Sequence, residues 1–176
     1  DSNFQQVFSP LLPQVGKNLE VSAQLEHDGA LFTATLYQLK LENEIHFNPM
    51  TFTNDNLDPT ERRGFTLAAR MTPASQWTLD ANLTVQRAEF REGVYAGNDI
   101  PLVATQLGNL TVSWKPRSEF TVALSDAFTG KRYMDNDQTN SFIQIPAAHR
   151  LDLKLMLDLK PLSVSLDIFN LSDNQD

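Results

Sequence analysis

Leu151-Asp152-Leu153-Lys154-Leu155-Met156-Leu157-Asp158-Leu159-Lys160-Pro161-Leu162-Ser163-Val164-Ser165-Leu166-Asp167-Ile168 is the stretch that decides the fold class. Leucine occupies every odd position from 151 to 159, and Asp152, Lys154, Met156 and Asp158 fill the gaps. A period of two residues is the signature of a strand with one apolar face. After Lys160-Pro161 the alternation resumes, with Leu162, Val164, Leu166 and Ile168 set against Ser163, Ser165 and Asp167. The segment therefore predicts two antiparallel strands joined by a tight turn.

The same pattern extends toward the N-terminus. Leu19, Val21, Ala23 and Leu25 alternate with Glu20, Ser22, Gln24 and Glu26, and Trp77, Leu79, Ala81, Leu83 and Val85 alternate with Thr78, Asp80, Asn82, Thr84 and Gln86. Three further apolar stripes are Phe65-Leu67-Ala69-Met71, Leu110-Val112-Trp114 and Phe120-Val122-Leu124. Eight strand-like segments result, at 17–26, 30–46, 62–72, 76–90, 105–115, 119–129, 148–159 and 161–171. The second mixes apolar residues on both faces, which leaves its register open. Connections alternate in length. His27-Asp28-Gly29, Pro73-Ala74-Ser75, Pro116-Arg117-Ser118 and Lys160-Pro161 are tight, whereas 47–61, 91–104 and 130–147 are long. Short turns on one rim and long loops on the other predict an all-β, antiparallel, up-and-down arc of a transmembrane β-barrel.

Composition narrows the alternatives. A net charge of −8 and a pI near 4.8 argue against nucleic-acid binding. There is no cysteine, hence no disulfide framework or thiolate site. No run of about 18 apolar residues offers a transmembrane helix, but barrel strands need only about 9–11 residues. The opening Asp1-Ser2-Asn3-Phe4 has no signal-peptide character. A soluble β-sandwich binding module would also alternate apolar and polar residues. Against it stand the strand lengths, the regular alternation of connections, and the position of Trp77, Trp114 and Phe120 beside tight turns, where a barrel carries its aromatic girdle.

With tight turns in the periplasm, the first strand runs inward and the eighth outward, so both ends face outside. That orientation, and the close at Ser172-Asp173-Asn174-Gln175-Asp176 without a final aromatic strand, predict an arc of a larger wall. A self-contained eight-stranded barrel would instead pair 17–26 with 161–171.

Five stretches carry a family resemblance. Asn56-Leu57-Asp58-Pro59-Thr60-Glu61-Arg62-Arg63-Gly64-Phe65 resembles a loop-to-strand junction of TonB-dependent receptors, and 79–91, with its Ala88-Glu89-Phe90 step, resembles one of their recurrent strands. Gly97-Asn98-Asp99-Ile100-Pro101-Leu102-Val103 is similar to their Ile-Pro-Leu-Val-Pro segment, with Ala104 in place of the last proline. Phe128-Thr129-Gly130-Lys131-Arg132-Tyr133-Met134-Asp135-Asn136 resembles their Gly-x-Arg-Tyr-x-Asp motif, and Ile168-Phe169-Asn170-Leu171-Ser172-Asp173-Asn174 resembles the motif before their last strands. The matches fall in family order over about 13–174. The resemblance implies part of a 22-stranded barrel in the bacterial outer membrane, closed by a plug and driven by the TonB complex. Residues 1–176 are expected to be a partial barrel domain, with the plug, the TonB-contacting box and the terminal strands absent. The implied cargo is a ferric siderophore, with cobalamin or another bulky nutrient as the alternative. The chain itself is expected to need no cofactor, iron or cobalt belonging to the cargo. Outer-membrane lipid and lipopolysaccharide are the expected surroundings.

Asp80, Asn82, Thr84, Gln86, Asn109, Thr111, Asp152, Lys154 and Asp167 are the expected lumen-lining residues. In the long loops, Tyr95, Arg132 and Tyr133 are the candidates for an anionic ligand, through charge and stacking. Arg62-Arg63 suits either lipopolysaccharide phosphates or structural ion pairs. His27, His46 and His149 lack ligand spacing, and Asp135, Asn136, Asp137 and Asn140 hint at calcium without completing a calcium loop, so no metal site is expected. The sequons at Asn82, Asn109 and Asn170 fall on or at the ends of strands and are read as fortuitous. No pair of carboxylates and no nucleophile–histidine order marks an enzyme.

Overall fold

The computed structural model describes residues 10–48 and 51–174. The calls on Asp1 to Phe4 and on Gln175-Asp176 lie outside the described residues. Ten strands form: β1 (Val15–His27), β2 (Ala30–Glu42), β3 (Ile45–Asn48), β4 (Thr53–Asn56), β5 (Thr60–Ala74), β6 (Trp77–Phe90), β7 (Gln106–Arg117), β8 (Phe120–Thr129), β9 (Ala148–Leu159) and β10 (Leu162–Ile168). Among the described residues there is no helix. Eight of the strands make one antiparallel sheet in the order β1-β2-β5-β6-β7-β8-β9-β10. β1 and β10 are its two edges and do not pair with each other, so the self-contained eight-stranded barrel is excluded for these residues.

Directly opposed residues in an antiparallel ladder share a face. One row runs His27, Ala30, Met71, Leu79, Val112, Leu124, Leu153, Ile168, apolar but for the histidine at its turn end. The opposite face carries rows such as Ser22-Thr35-Thr66-Thr84. Among the described residues the apolar face meets no second sheet: Leu19, Leu36, Leu67 and Leu166 stay exposed. This excludes the β-sandwich, in which those side chains would be covered. At the short-turn rim Trp77 and Trp114 oppose each other on the apolar face and stack, 5.9 Å apart at 25°.

Turn chemistry sets the short rim. Asp28 and Gly29 both take positive φ, 45° and 74°, the geometry of a two-residue hairpin turn. Pro73 and Pro116, read above as turn residues, instead sit in β-bulges, where the register shifts between Met71 and Ala74 and between Trp114 and Arg117. Proline has no N–H for the ladder, and a bulge releases it from pairing.

The second predicted segment requires correction. β2 stops at Glu42, Asn43 turns the chain with φ 56°, and β3 pairs with β4 in a separate hairpin. The expected loop 47–61 is therefore partly strand. The register of β2 also becomes clear: Phe32, Ala34 and Leu36 join the apolar face, while Tyr37, Leu39 and Leu41 join the polar one.

Candidate ligand-facing wall and loop cluster

All nine polar strand residues singled out in the sequence lie on the polar face, and most are tied into cross-strand pairs. Thr84 bonds Thr66 at 2.9 Å, Thr111 bonds Ser125 at 2.9 Å, Asp80 accepts from Arg70 at 2.6 Å, and Lys154 meets Asp167 at 3.3 Å. Asp152 accepts the backbone N–H of Asn170 at 2.9 Å and pairs with Arg150 at 3.1 Å. Asn82 and Asn109 oppose each other in the β6–β7 ladder, Asn82 exposed. Tyr37, Gly64 and Gln86 form one row, and the Tyr37 hydroxyl donates to Gln86 Oε1 at 2.7 Å. The phenol must cross Gly64 to do so, and a Cβ there would stand 2.4 Å from the Val85 carbonyl oxygen. The polar face is thus a hydrogen-bonded surface, and Tyr37 and Gly64 belong to it although strand alternation alone did not single them out.

Above this wall the long loops make their own small core. β6 outruns its ladder with β7, and the following loop folds back along it: Phe90 N–H donates to Asn98 O at 3.0 Å, and Ile100 N–H to Ala88 O at 3.0 Å. Ala88, Phe90 and Ile100 are buried together, with Leu57, Tyr95 and Val103 packed around them. Gly93, at φ 83°, lies so close to the Asp58 carboxylate that any side chain would collide.

Asp137 organises the neighbouring loop. It is 1% exposed, and its carboxylate accepts the N–H groups of Ser141 and Phe142 and the Thr139 hydroxyl at 2.9–3.1 Å. Burial alone would raise its pKa, but these donors, with the Asn140 backbone, hold it below the ordinary value. Asn140 then links the loops, accepting Asp99 N–H at 2.7 Å and donating to Asp99 O at 2.9 Å. Asn98 donates to Gln138 O, Leu102 N–H to Tyr133 O, and His46 of β3 bonds Asn136 at 2.7 Å. Both Asp137 oxygens are thus engaged within the loop, and among the described residues no cluster of three metal-ligating side chains occurs. The Asp-x-Thr-x-Ser spacing from 137 to 141 is the signal that could have found this side-chain-to-backbone turn.

The three loop candidates sit in this cluster in different ways. Tyr95 packs on Phe90, ring centroids 5.7 Å apart. Tyr133 is half-buried, its backbone bonded to Leu102. Arg132 sits at the neck of its loop, bridged to Ile145, and its Nη1 is buried without a hydrogen-bond partner. Arg62 and Arg63 part company. Arg62 grips Glu44 through two contacts, 2.7 and 3.1 Å, as a structural pair, whereas Arg63 lies on the apolar side of the sheet beside Glu89. The three histidines are dispersed: His27 at a short turn, His46 in the loop cluster, and His149 beside Asp126 at 3.0 Å.

Comparison with known proteins bears on this geometry. The family described as TonB dependent receptor-like, beta-barrel matches residues 1–171. A probable TonB-dependent siderophore receptor, PiuA of Acinetobacter baumannii, is 26% identical over 160 residues, covering 81% of this chain and 21% of its own. The ferric yersiniabactin uptake receptor FyuA of Yersinia pestis superposes with a TM-score of 0.74 at 21% identity, over 92% of this chain and 25% of its own. The copper transporter OprC gives 0.73 at 15% identity, over 93% and 26%. The chain spans about a quarter of the length of these relatives.

Proposed function

Since this chain belongs to the TonB-dependent receptor-like β-barrel family, a family of outer-membrane receptors and not of enzymes, we propose that it forms the barrel wall of an importer for a ferric siderophore. The apolar face then meets lipid, the polar face lines the lumen, the Trp77–Trp114 pair marks the periplasmic boundary, and the loop cluster stands outside. The observation that carries the reading is the loop cluster, which folds over the polar side of β6 and consolidates one mouth of the wall.

Arg132, Tyr133 and Tyr95 are the ligand contacts in this reading. The unpartnered Nη1 of Arg132 is a charged donor that gains a partner when an anionic chelate settles on the loops and they adjust around it. Tyr133 and Tyr95 add aromatic surface. The wall contributes passage and no chemistry; a plug pulled by the TonB complex would open the path. A siderophore is favoured over cobalamin by the similarity to PiuA.

The test is uptake in the native host under iron starvation. Deleting the gene should abolish transport of a labelled ferric siderophore, in a TonB-dependent manner, and leave cobalamin and copper uptake intact. Arg132→Ala in the restored full-length receptor should weaken ligand binding about tenfold or more, the loss of one charged hydrogen bond. Loss of cobalamin or copper uptake with iron uptake intact would overturn the siderophore reading.

A further inference from the structure

One carboxamide closes a strand edge that the sheet itself leaves open. Residues 97–100 return along the end of β6. Gly97 N–H donates to Phe90 O at 2.8 Å, Phe90 N–H to Asn98 O at 3.0 Å and Ile100 N–H to Ala88 O at 3.0 Å, and Glu89 and Asp99 form an antiparallel bridge. In such a ladder successive residues turn their N–H and C=O to opposite sides, so those of Asp99 point away from β6. Left unpaired, they would be an open edge. Asn140, from the loop 130–147, takes both: its Oδ1 accepts Asp99 N–H at 2.7 Å and its Nδ2 donates to Asp99 O at 2.9 Å. The same Nδ2 donates to Asp137 O at 3.1 Å, which ties the carboxamide to its own loop. Donor and acceptor side by side on one amide reproduce what a neighbouring strand would offer.

The contact lies within a seam between two loops, each of which carries proposed ligand contacts. Toward one end of the seam is the turn that presents Tyr95. Asn98 N–H donates to Tyr95 O at 2.9 Å, and the Asn98 side chain crosses to Gln138 O at 2.8 Å. Toward the other end, Leu102 N–H donates at 2.9 Å to the carbonyl of Tyr133, the chain neighbour of Arg132. Leu102 has φ 62°, a left-handed conformation that a leucine adopts only at a cost, and the seam holds it there. Asn140 has φ 54°, a region that asparagine enters more readily than most residues with a side chain. The residue type therefore suits both the backbone and the amide at this point.

We infer that Asn140 is a positioning residue for ligand binding: its carboxamide holds Tyr95 on one loop and Arg132 and Tyr133 on the other as one preorganised surface. The inference rests on the reading of those three residues as ligand contacts. Both N–H donors of the amide go to backbone carbonyls, so Asn140 acts through the loops and not by touching the ligand. Loops already held together spare the ligand the entropy of ordering them. Without the clamp each loop is ordered only at the moment of binding. A contact on one loop then no longer stands where the other requires it.

The experiment uses the full-length receptor in nanodiscs, with Asn140→Gly, Tyr95→Ala and the two combined. Glycine keeps the positive φ and removes only the amide. The probe is the iron chelate purified from the medium of the iron-starved host and loaded with labelled iron. Asn140→Gly should weaken its binding about tenfold, from the two lost bonds to Asp99 and the loops left to be ordered. Tyr95→Ala should cost about fivefold in wild type and less than about twofold in Asn140→Gly, where Tyr95 is no longer held in place. A role confined to its own loop would leave the Tyr95 effect unchanged, so losses that simply multiply would overturn the inference. Hydrogen exchange without the chelate is the second readout. Leu102 N–H, bonded to Tyr133 and not to Asn140, should exchange about tenfold faster in Asn140→Gly, while Ile100 N–H, bonded to β6, keeps its rate. Acceleration confined to Asp99 would also overturn it. Should Asn140→Gly not assemble, Asn140→Asp replaces it with the same expectations, since it tolerates the same φ and loses the donor to Asp99 O. A wild-type receptor that binds no iron chelate would sink the importer reading and this inference with it; chelate binding with multiplying losses would sink this inference alone.

Discussion

Gly64→Ala should destabilise the barrel wall by about 2–4 kcal/mol, far more than one methyl group usually does on a sheet. The row Tyr37-Gly64-Gln86 shows why. A Cβ on residue 64 would stand 2.4 Å from the Val85 carbonyl oxygen and 2.9 Å from Gln86 Cα, both backbone neighbours that cannot rotate away. Relief requires β5 and β6 to separate by several tenths of an ångström, against strands that pair at about 4.8 Å. Overpacking of this kind costs about 1–3 kcal/mol. The added methyl also lies under the phenol of Tyr37, whose hydroxyl reaches Gln86 at 2.7 Å across the bare glycine. Losing that bond adds about 1 kcal/mol. The assay is equilibrium unfolding of the full-length receptor in urea, refolded into liposomes, for Gly64→Ala, Tyr37→Phe and the double variant. Tyr37→Phe alone should cost about 1 kcal/mol, and the double variant less than the sum, because both changes remove the same bond. A Gly64→Ala effect under about 0.5 kcal/mol, or strict additivity, would refute the reasoning.

Two other outcomes follow from the structure. Asp137 holds a carboxyl pKa below its ordinary 3.8, so the stability that it lends the loops is complete above 3.8 and is lost as pH falls through the lower folded value; hydrogen exchange in 137–142 should be slow at pH 5 to 7 and accelerate at strongly acidic pH, and Asp137→Asn should show fast exchange at every pH. A double-mutant cycle on Trp77→Ala and Trp114→Ala should return a coupling of about 0.5–1.5 kcal/mol, the worth of a stacked pair beyond its burial, and no measurable coupling would mean that the rings do not stack.

Lys17, Lys40, Arg63 and Arg87 show the boundary between what was legible and what was not. The faces of Lys17, Arg63 and Arg87 follow from alternation within their own strands, as does the parting of Arg62 from Arg63, whereas that of Lys40, in the segment of open register, does not. That the four meet at one height depends on the pairing of β1 with β2, β2 with β5 and β5 with β6, and no local window of sequence contains those registers. Segment 30–46 makes the same point from the other side. Its mixed apolar pattern could not be assigned to faces because Leu39 and Leu41 take polar-face positions near the long-loop rim, where Leu41 is buried beside Thr60 in the ladder. The β3–β4 hairpin was hidden because four-residue strands of mostly polar residues give too few periods to read.

By itself the sequence determined an all-β chain of eight long strands, one apolar and one polar face, tight turns on one rim and long loops on the other, and nine polar wall residues. These are properties of period and turn chemistry, which act over a few residues and leave a local trace. Only the tertiary structure decided that β3 and β4 form a separate hairpin, that Asp137 and Asn140 weld two loops, and that Tyr37 spans Gly64. Each of these rests on contacts between residues far apart in the chain. Such contacts are set by the summed pairing of whole strands, and by which loop finds room to fold back onto its strand.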